Sequence, residues 1–223
     1  MTQNQAMTPF LQPHQLTYIK KQLHYLVGAF YFSGDYRVLD ASRQNSVEKI
    51  LAAVPDATPE QRALLAEAAH VRDKEEEMRY VLKLEPLVIP FPEITAAEIK
   101  KLFPKVKKLV LPPLEGLDRT KLTYLGWRDI ATSSLYLVCR VNGKWKGIEC
   151  RYVSGQKNRS YICTWCGRAL PGDEVALVTS QIKMRNIPDG YKTAGNHLCL
   201  DSFSCNSALK TTDGIDAFLA LLK

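Results

Sequence analysis

Cys163 and Cys166 stand in Tyr161-Ile162-Cys163-Thr164-Trp165-Cys166-Gly167-Arg168, a Cys-x-x-Cys pair closed by a glycine. Two thiolates at that spacing on a tight turn can both face one tetrahedral ion. A second pair, Cys199 and Cys205, follows in Asn196-His197-Leu198-Cys199-Leu200-Asp201-Ser202-Phe203-Ser204-Cys205-Asn206 and can complete a four-sulfur zinc site. Other chemistries use cysteines in pairs. Two disulfides would need an oxidising compartment, and the start of the chain shows no basic segment followed by an apolar core of the kind that directs secretion. A redox Cys-x-x-Cys motif usually opens a helix, whereas Gly167 and Pro171-Gly172 follow here and disfavour one. One structural zinc is the reading that the spacing favours. Four thiolates leave no open coordination position, so such a site would stabilise the fold without activating water. Cys139 and Cys150 fall on predicted strands, where a cysteine is a small buried apolar side chain.

Little else in the chain suggests chemistry. No Ser/His/Asp set, phosphate-binding loop or pair of catalytic carboxylates stands out, so the chain reads as a binding protein and not an enzyme. His14, His24 and His70 have no second ligand at metal spacing. Glu75-Glu76-Glu77 reads as a solvated helix face. No apolar run approaches the ~20 residues that cross a bilayer, and a cytoplasmic location is expected.

The formal charge of +7 over 223 residues is unevenly placed. Residues 1–85 hold 10 Lys and Arg against 11 Asp and Glu, and the rest hold 20 against 12. A basic body is thus attached to a near-neutral segment. A basic surface beside a zinc module fits an anionic partner, either nucleic acid or an acidic protein. Lys100, Lys101, Lys105, Lys107 and Lys108 concentrate five positive charges in nine residues.

The elements that must position the cysteines follow from periodicity. Leu16, Ile19, Leu23, Leu26, Val27 and Phe30 fall on one helical face, and Ser33-Gly34 ends that helix. Val47, Ile50, Leu51 and Val54 mark a shorter helix that stops before Pro55. Thr58-Pro59-Glu60-Gln61 reads as a capping box, and Leu64, Leu65, Ala68, Val71, Met78, Val81 and Leu82 carry one apolar stripe to about Leu84. Three helices with short connections predict an antiparallel bundle over residues 1–85. Prolines then punctuate a linker from Pro86 to Pro113 around a short helix that Thr95 can cap.

Beyond Lys105 the pattern alternates as strands do. Leu135–Val141 and Trp145–Val153 flank Asn142-Gly143, a two-residue hairpin signal, and Val175–Ile182 reads as another strand. Leu209, Ile215, Phe218, Leu219 and Leu222 return to helical spacing. The expected class is α+β: a helical bundle over residues 1–85, then a small basic body over 86–223 with a treble-clef zinc finger.

The chain resembles the FusB-type elongation factor G-binding proteins, some of which confer fusidic acid resistance. The resemblance rests on Pro13-His14-Gln15-Leu16-Thr17-Tyr18-Ile19, Val88-Ile89-Pro90-Phe91-Pro92, Leu102-Phe103-Pro104-Lys105-Val106-Lys107-Lys108-Leu109, Leu125-Gly126-Trp127-Arg128-Asp129-Ile130-Ala131 and the two cysteine segments. It implies a helical domain, a treble clef with Cys163, Cys166, Cys199 and Cys205 as ligands, and binding to elongation factor G chiefly through the zinc domain. It further implies that the protein helps the factor leave the ribosome. Phe218 matches an aromatic of the terminal helix that the family uses at the contact. Ala194 and His197 stand where some members carry Lys and Tyr, and Ile162 where some carry Phe. Phe218, His197, Ile162 and Lys192 are the partner-binding residues expected on that basis. A zinc protein acting directly on ribosomal or other RNA is the alternative. Trp127, Trp145, Tyr152, Tyr161 and Trp165 would then supply stacking surfaces, unless they fill the core.

Overall fold

The computed structural model describes the backbone of residues 7–183 and 190–222. The chain divides into two compact units, Met1–Pro90 and Phe91–Lys223. Residues 86–90 belong to the first because their backbone is held there. The Leu87 carbonyl accepts from the Phe10 and Leu11 amides at 2.8 and 3.0 Å, and the Ile89 amide donates to the Leu11 carbonyl. The Phe91 amide donates instead to the Arg119 carbonyl, inside the second unit.

The first unit is helical: α1 Pro13–Phe32, α2 Tyr36–Ala53, α3 Pro59–Ala66 and α4 Lys74–Leu84. Caps account for most of the helix starts. Asp35 accepts from the Arg37 amide, and Thr58 and Gln61 form the reciprocal capping box expected of them. Inside, Leu11, Ile19, Leu23, Leu26, Ile50, Leu65 and Leu84 are fully buried in one cluster. Each contributes about 1.5–3 kcal/mol of transfer free energy.

Two expectations for this unit change. α2 begins at Tyr36, well ahead of its apolar repeat, because Asp35 caps it and the first turns need no core face. The single stripe from Leu64 to Leu84 belongs to two helices, not one. A 3-10 turn at Glu67–His70 and extended backbone at Val71 interrupt it, and Asp73 starts α4 by accepting from the Glu76 amide at 2.8 Å. Met78 and Leu82 are consequently exposed. Tyr80 is buried, and its hydroxyl donates to the carbonyls of Leu64 and Leu65 at 3.1 and 3.0 Å, which also accept from the Glu67 amide at the end of α3. Burial pushes that hydroxyl well up from its ordinary range.

The second unit is built on a five-stranded antiparallel sheet in the order β1-β2-β3-β6-β7. Its strands are β1 Leu125–Asp129, β2 Ser134–Val141, β3 Lys144–Ser154, β6 Val175–Lys183 and β7 Tyr191–Cys199. A two-stranded ribbon, β4 Ser160–Ile162 with β5 Ala169–Pro171, lies between β3 and β6 in the chain. The helices are α5 Ala96–Leu102, α6 Ser202–Asn206 and α7 Asp213–Leu221. Thr95 caps α5 with Glu98 as the reciprocal partner. Asn142 and Gly143 both take positive φ, 49° and 74°, which gives the β2–β3 hairpin a turn whose twist matches its strands.

Alternation along the strands separates two cores. Leu135, Leu137, Cys139, Ile148 and Cys150 face one that also contains the four paired cysteines. Tyr136 and Val138 face another, with Phe103 and Trp127. Cys139 and Cys150 are buried thiols, and desolvation pushes each up to about 12, so they stay protonated as packing groups. Trp127 and Trp165 are buried too, which assigns those rings to packing and not to a stacking surface. Among the described residues, no helix is long and apolar enough to cross a membrane.

Candidate metal centre

β4, its turn and β5 form a knuckle. The Cys163 amide donates to the Arg168 carbonyl at 2.9 Å, and the Gly167 amide donates to the Cys163 carbonyl at 2.8 Å. Gly167 sits at φ 74°, a backbone shape that a side chain would strain. This closure turns Cys163 and Cys166 toward one point. The second pair comes from the end of β7 and from α6. Cys199 is the last residue of the strand, and Cys205 lies inside the helix. Asp201 fixes the corner between them by accepting from the amides of Phe203 and Ser204.

The four Sγ atoms lie within 4.8 Å of one another, and all four residues are buried. Cys163 and Cys205 sulfurs are 3.8 Å apart, and those of Cys166 and Cys199 are 3.6 Å apart. A tetrahedron with zinc–sulfur bonds of about 2.3 Å has edges of about 3.8 Å. The donor set therefore fits one zinc ion held by Cys163, Cys166, Cys199 and Cys205. Its ligand chemistry is that of a closed, structural site, which cross-links the knuckle to β7 and α6.

The electrostatics explain why a cation belongs there. Without one, the sulfurs compete for protons. Hydrogen bonds from Cys163, Cys199 and Cys205 pull Cys166 far below the usual thiol range. Cys166 pushes Cys163 up, but Cys199 and Cys205 outweigh it and hold Cys163 down at about 7. Cys199 and Cys205 are driven well up, chiefly by the sulfur of Cys163. Four thiolates this close repel, and a divalent ion is what lets all four ionise together.

Several supporting residues were not legible in the sequence. Arg168 donates from Nη2 to the Ser204 carbonyl and hydroxyl at 2.7 and 2.8 Å, with the Cys199 sulfur 3.9 Å away. It joins the knuckle to α6 and places a positive charge beside the thiolates. Asn206 is buried and fully used. Its Oδ1 accepts from the Thr123 and Tyr124 amides, and its Nδ2 donates to the Tyr124 and Ser202 carbonyls. The Ser202 hydroxyl donates to the Gly126 carbonyl at 2.6 Å. These bonds seat α6 on β1. Asp-Ser after Cys199 is a readable cap signal, whereas nothing local marks Arg168 or Asn206.

Phe218 requires a correction. It is 0 % exposed, on α7, with its ring edge-on to Trp165 at 5.9 Å, and Trp165 in turn meets Tyr124 edge-on at 4.8 Å. The ring is therefore core behind the cysteine cluster and not a surface anchor. α7 is amphipathic, and Phe218 falls on the same inward face as Ile215 and Leu219.

The other expected partner residues are at the surface. Ile162 is 63 % exposed at the end of β4. His197, partly exposed on β7, stacks on Tyr161 with ring centroids 5.3 Å apart, and its carbonyl accepts from the Thr164 amide at 2.9 Å. β4 thus brings Ile162 beside the His197 segment. Lys192, also exposed, is the second residue of the same strand and has opposite parity to His197, so its side chain leaves the other face of the sheet.

Comparison with known proteins bears on both units. Residues 10–92 match the family described as elongation factor G-binding protein, N-terminal, and residues 100–216 match the FBP C-terminal treble-clef zinc finger. No curated protein matches the chain by sequence. A solved structure titled as that of the fusidic acid resistance protein FusC is similar with a TM-score of 0.81 and 19% identity, covering 99% of this chain and 100% of that one. At that identity the likeness is one of fold. The two matches span nearly all of both units, and the chain belongs to the family of elongation factor G-binding proteins with a treble-clef zinc finger.

Proposed function

We propose that this protein binds elongation factor G, chiefly through the zinc-bearing unit, and promotes release of the factor from the ribosome by binding alone, without catalysing a reaction. Its effect would be to protect translation against fusidic acid, the property named for the protein whose fold it shares. The observation that carries this reading is the match of both units, in order, to the elongation factor G-binding family. The surface supports it. Of the expected contact residues, Ile162 and the Tyr161–His197 pair stand together beside the metal site, whereas Lys192 leaves the other face of the sheet. Phe218 supports that face from within.

The test is titration of the zinc-loaded protein against elongation factor G from the same organism, with zinc content and melting checked in parallel. Binding is expected, and Ile162→Ala with His197→Ala should weaken it by about thirtyfold if that face holds the central anchors. Absence of binding at tens of micromolar would overturn the reading. Release is tested separately, by following dissociation of the factor from ribosomes stalled with fusidic acid. Added protein should speed it, and an unchanged rate would remove the release step from the proposal.

A further inference from the structure

The second unit has another exposed surface, around α5 and the β2–β3 hairpin, whose residues belong neither to the metal centre nor to the proposed contact set. From Lys100 to Leu114 the chain contains five lysines and no acidic residue, and none occurs from Ile130 to Ile148, where Arg140 stands. Lys100, Lys101, Lys105, Lys107, Lys108 and Arg140 are all exposed. None of them forms an ion pair among the described residues. The nearest carboxylate in sequence, Glu98, is engaged first by the Thr95 amide and hydroxyl at 2.8 and 2.7 Å, with a smaller attraction from Lys101.

These cations are held in place by what lies beneath them. Phe103 is buried against Trp127 and Tyr136, and Val106, Leu109 and Leu111 pack on the same cluster. The Trp127 indole donates to the Val110 carbonyl at 2.7 Å, which pins the strap after α5. The lysines occupy the positions between these anchors and project outward. Arg140 lies opposite Trp145 in the β2–β3 register, with its guanidinium 5.7 Å from the indole centroid. Trp145 packs in turn on Phe91, over the same cluster. Arg140 shares parity with Tyr136 and Val138, so it faces away from the cysteine cluster.

We propose that this strap and hairpin form a second interface, which grips the phosphate backbone of RNA through Lys100, Lys101, Lys105, Lys107, Lys108 and Arg140. A row of exposed cations without salt bridges along this surface suits a polyanion with regularly spaced charges. The composition argues against a protein partner. The large apolar side chains among the lysines turn inward, Val110 excepted, so the surface lacks the apolar centre on which protein contacts are built. The inference does not depend on binding to elongation factor G.

The experiment measures binding of labelled single-stranded and duplex RNA oligonucleotides, and of purified ribosomal subunits, over a range of salt. The full zinc-loaded chain is compared with a Lys105→Gln, Lys107→Gln, Lys108→Gln variant and with Arg140→Gln. All four side chains are exposed, so melting and zinc content should be unchanged. The triple variant should reduce the slope of log affinity against log salt by about 2–3 and weaken binding by about tenfold or more at low salt. RNA binding that is absent, or insensitive to both variants, would overturn the proposal. So would loss of elongation factor G binding in the triple variant without any RNA binding, because the face would then serve an acidic protein.

Discussion

The two units reach stability by different routes. The first is a set of capped helices closed over aliphatic side chains, with the Tyr80 hydroxyl donating to two carbonyls at the end of α3. The second divides its apolar residues between the two faces of one sheet, and one of those cores is organised around four sulfurs. In the first, many modest contributions add. In the second, a single ion would tie the knuckle, β7 and α6 together. Removing one group should therefore have a large effect in the second unit and a small, graded effect in the first.

Zinc removal probes that contrast most severely. Structural zinc contributes apparent free energies of about 10–16 kcal/mol in small zinc domains. A chelator, or Cys163→Ser, should unfold residues 91–223 while leaving the helical signal of residues 1–90, as seen by circular dichroism and by metal content near zero. After chelation the four paired cysteines should react with a thiol reagent. Cys139 and Cys150 should react later, as their core opens. Equal loss of both units would show that the first does not stand alone.

Phe218→Ala comes next. A fully buried aromatic beside Trp165 should cost about 3–5 kcal/mol, measured as a fall in the denaturant midpoint of the second unit with zinc bound. A stable variant with weakened partner binding would contradict the core assignment. Within the first unit, Tyr80→Phe should cost about 0.5–1.5 kcal/mol, because it removes one buried hydrogen-bond donor from the Leu64 and Leu65 carbonyls, which keep the Glu67 amide. Thr58→Ala should have a comparably small effect, about 1 kcal/mol, through loss of the α3 cap. If either matched the loss from Phe218→Ala, the proposed contrast would fail.

Features that depend on neighbours in sequence were legible before the fold was known. The Thr58 capping box, the Thr95 cap, the Asn142-Gly143 hairpin and the Cys163–Cys166 knuckle each need only a few adjacent residues to form. β7 was not legible. Tyr191-Lys192-Thr193-Ala194-Gly195-Asn196-His197 alternates poorly and contains a glycine, as an edge strand with one half-covered face permits. β1 was met only as a segment of the family resemblance, because Leu125, Gly126, Trp127 and Asp129 are all buried and leave no alternation to read.

By itself, the sequence determined the metal's ligand types, the starts of α3 and α5, the hairpin turn and the concentration of positive charge after residue 85. These follow from the chemistry of single residues and short spacings. Only the tertiary structure decided that α3 and α4 are separate helices, because a buried Tyr80 and the Asp73 cap act where propensity is indifferent. It also decided that Phe218 is core, and that Arg168 and Asn206 brace the sulfurs. Burial and long-range hydrogen bonds depend on which faces meet, and residues far apart in sequence acquire that relation only when the sheet and helices close around them.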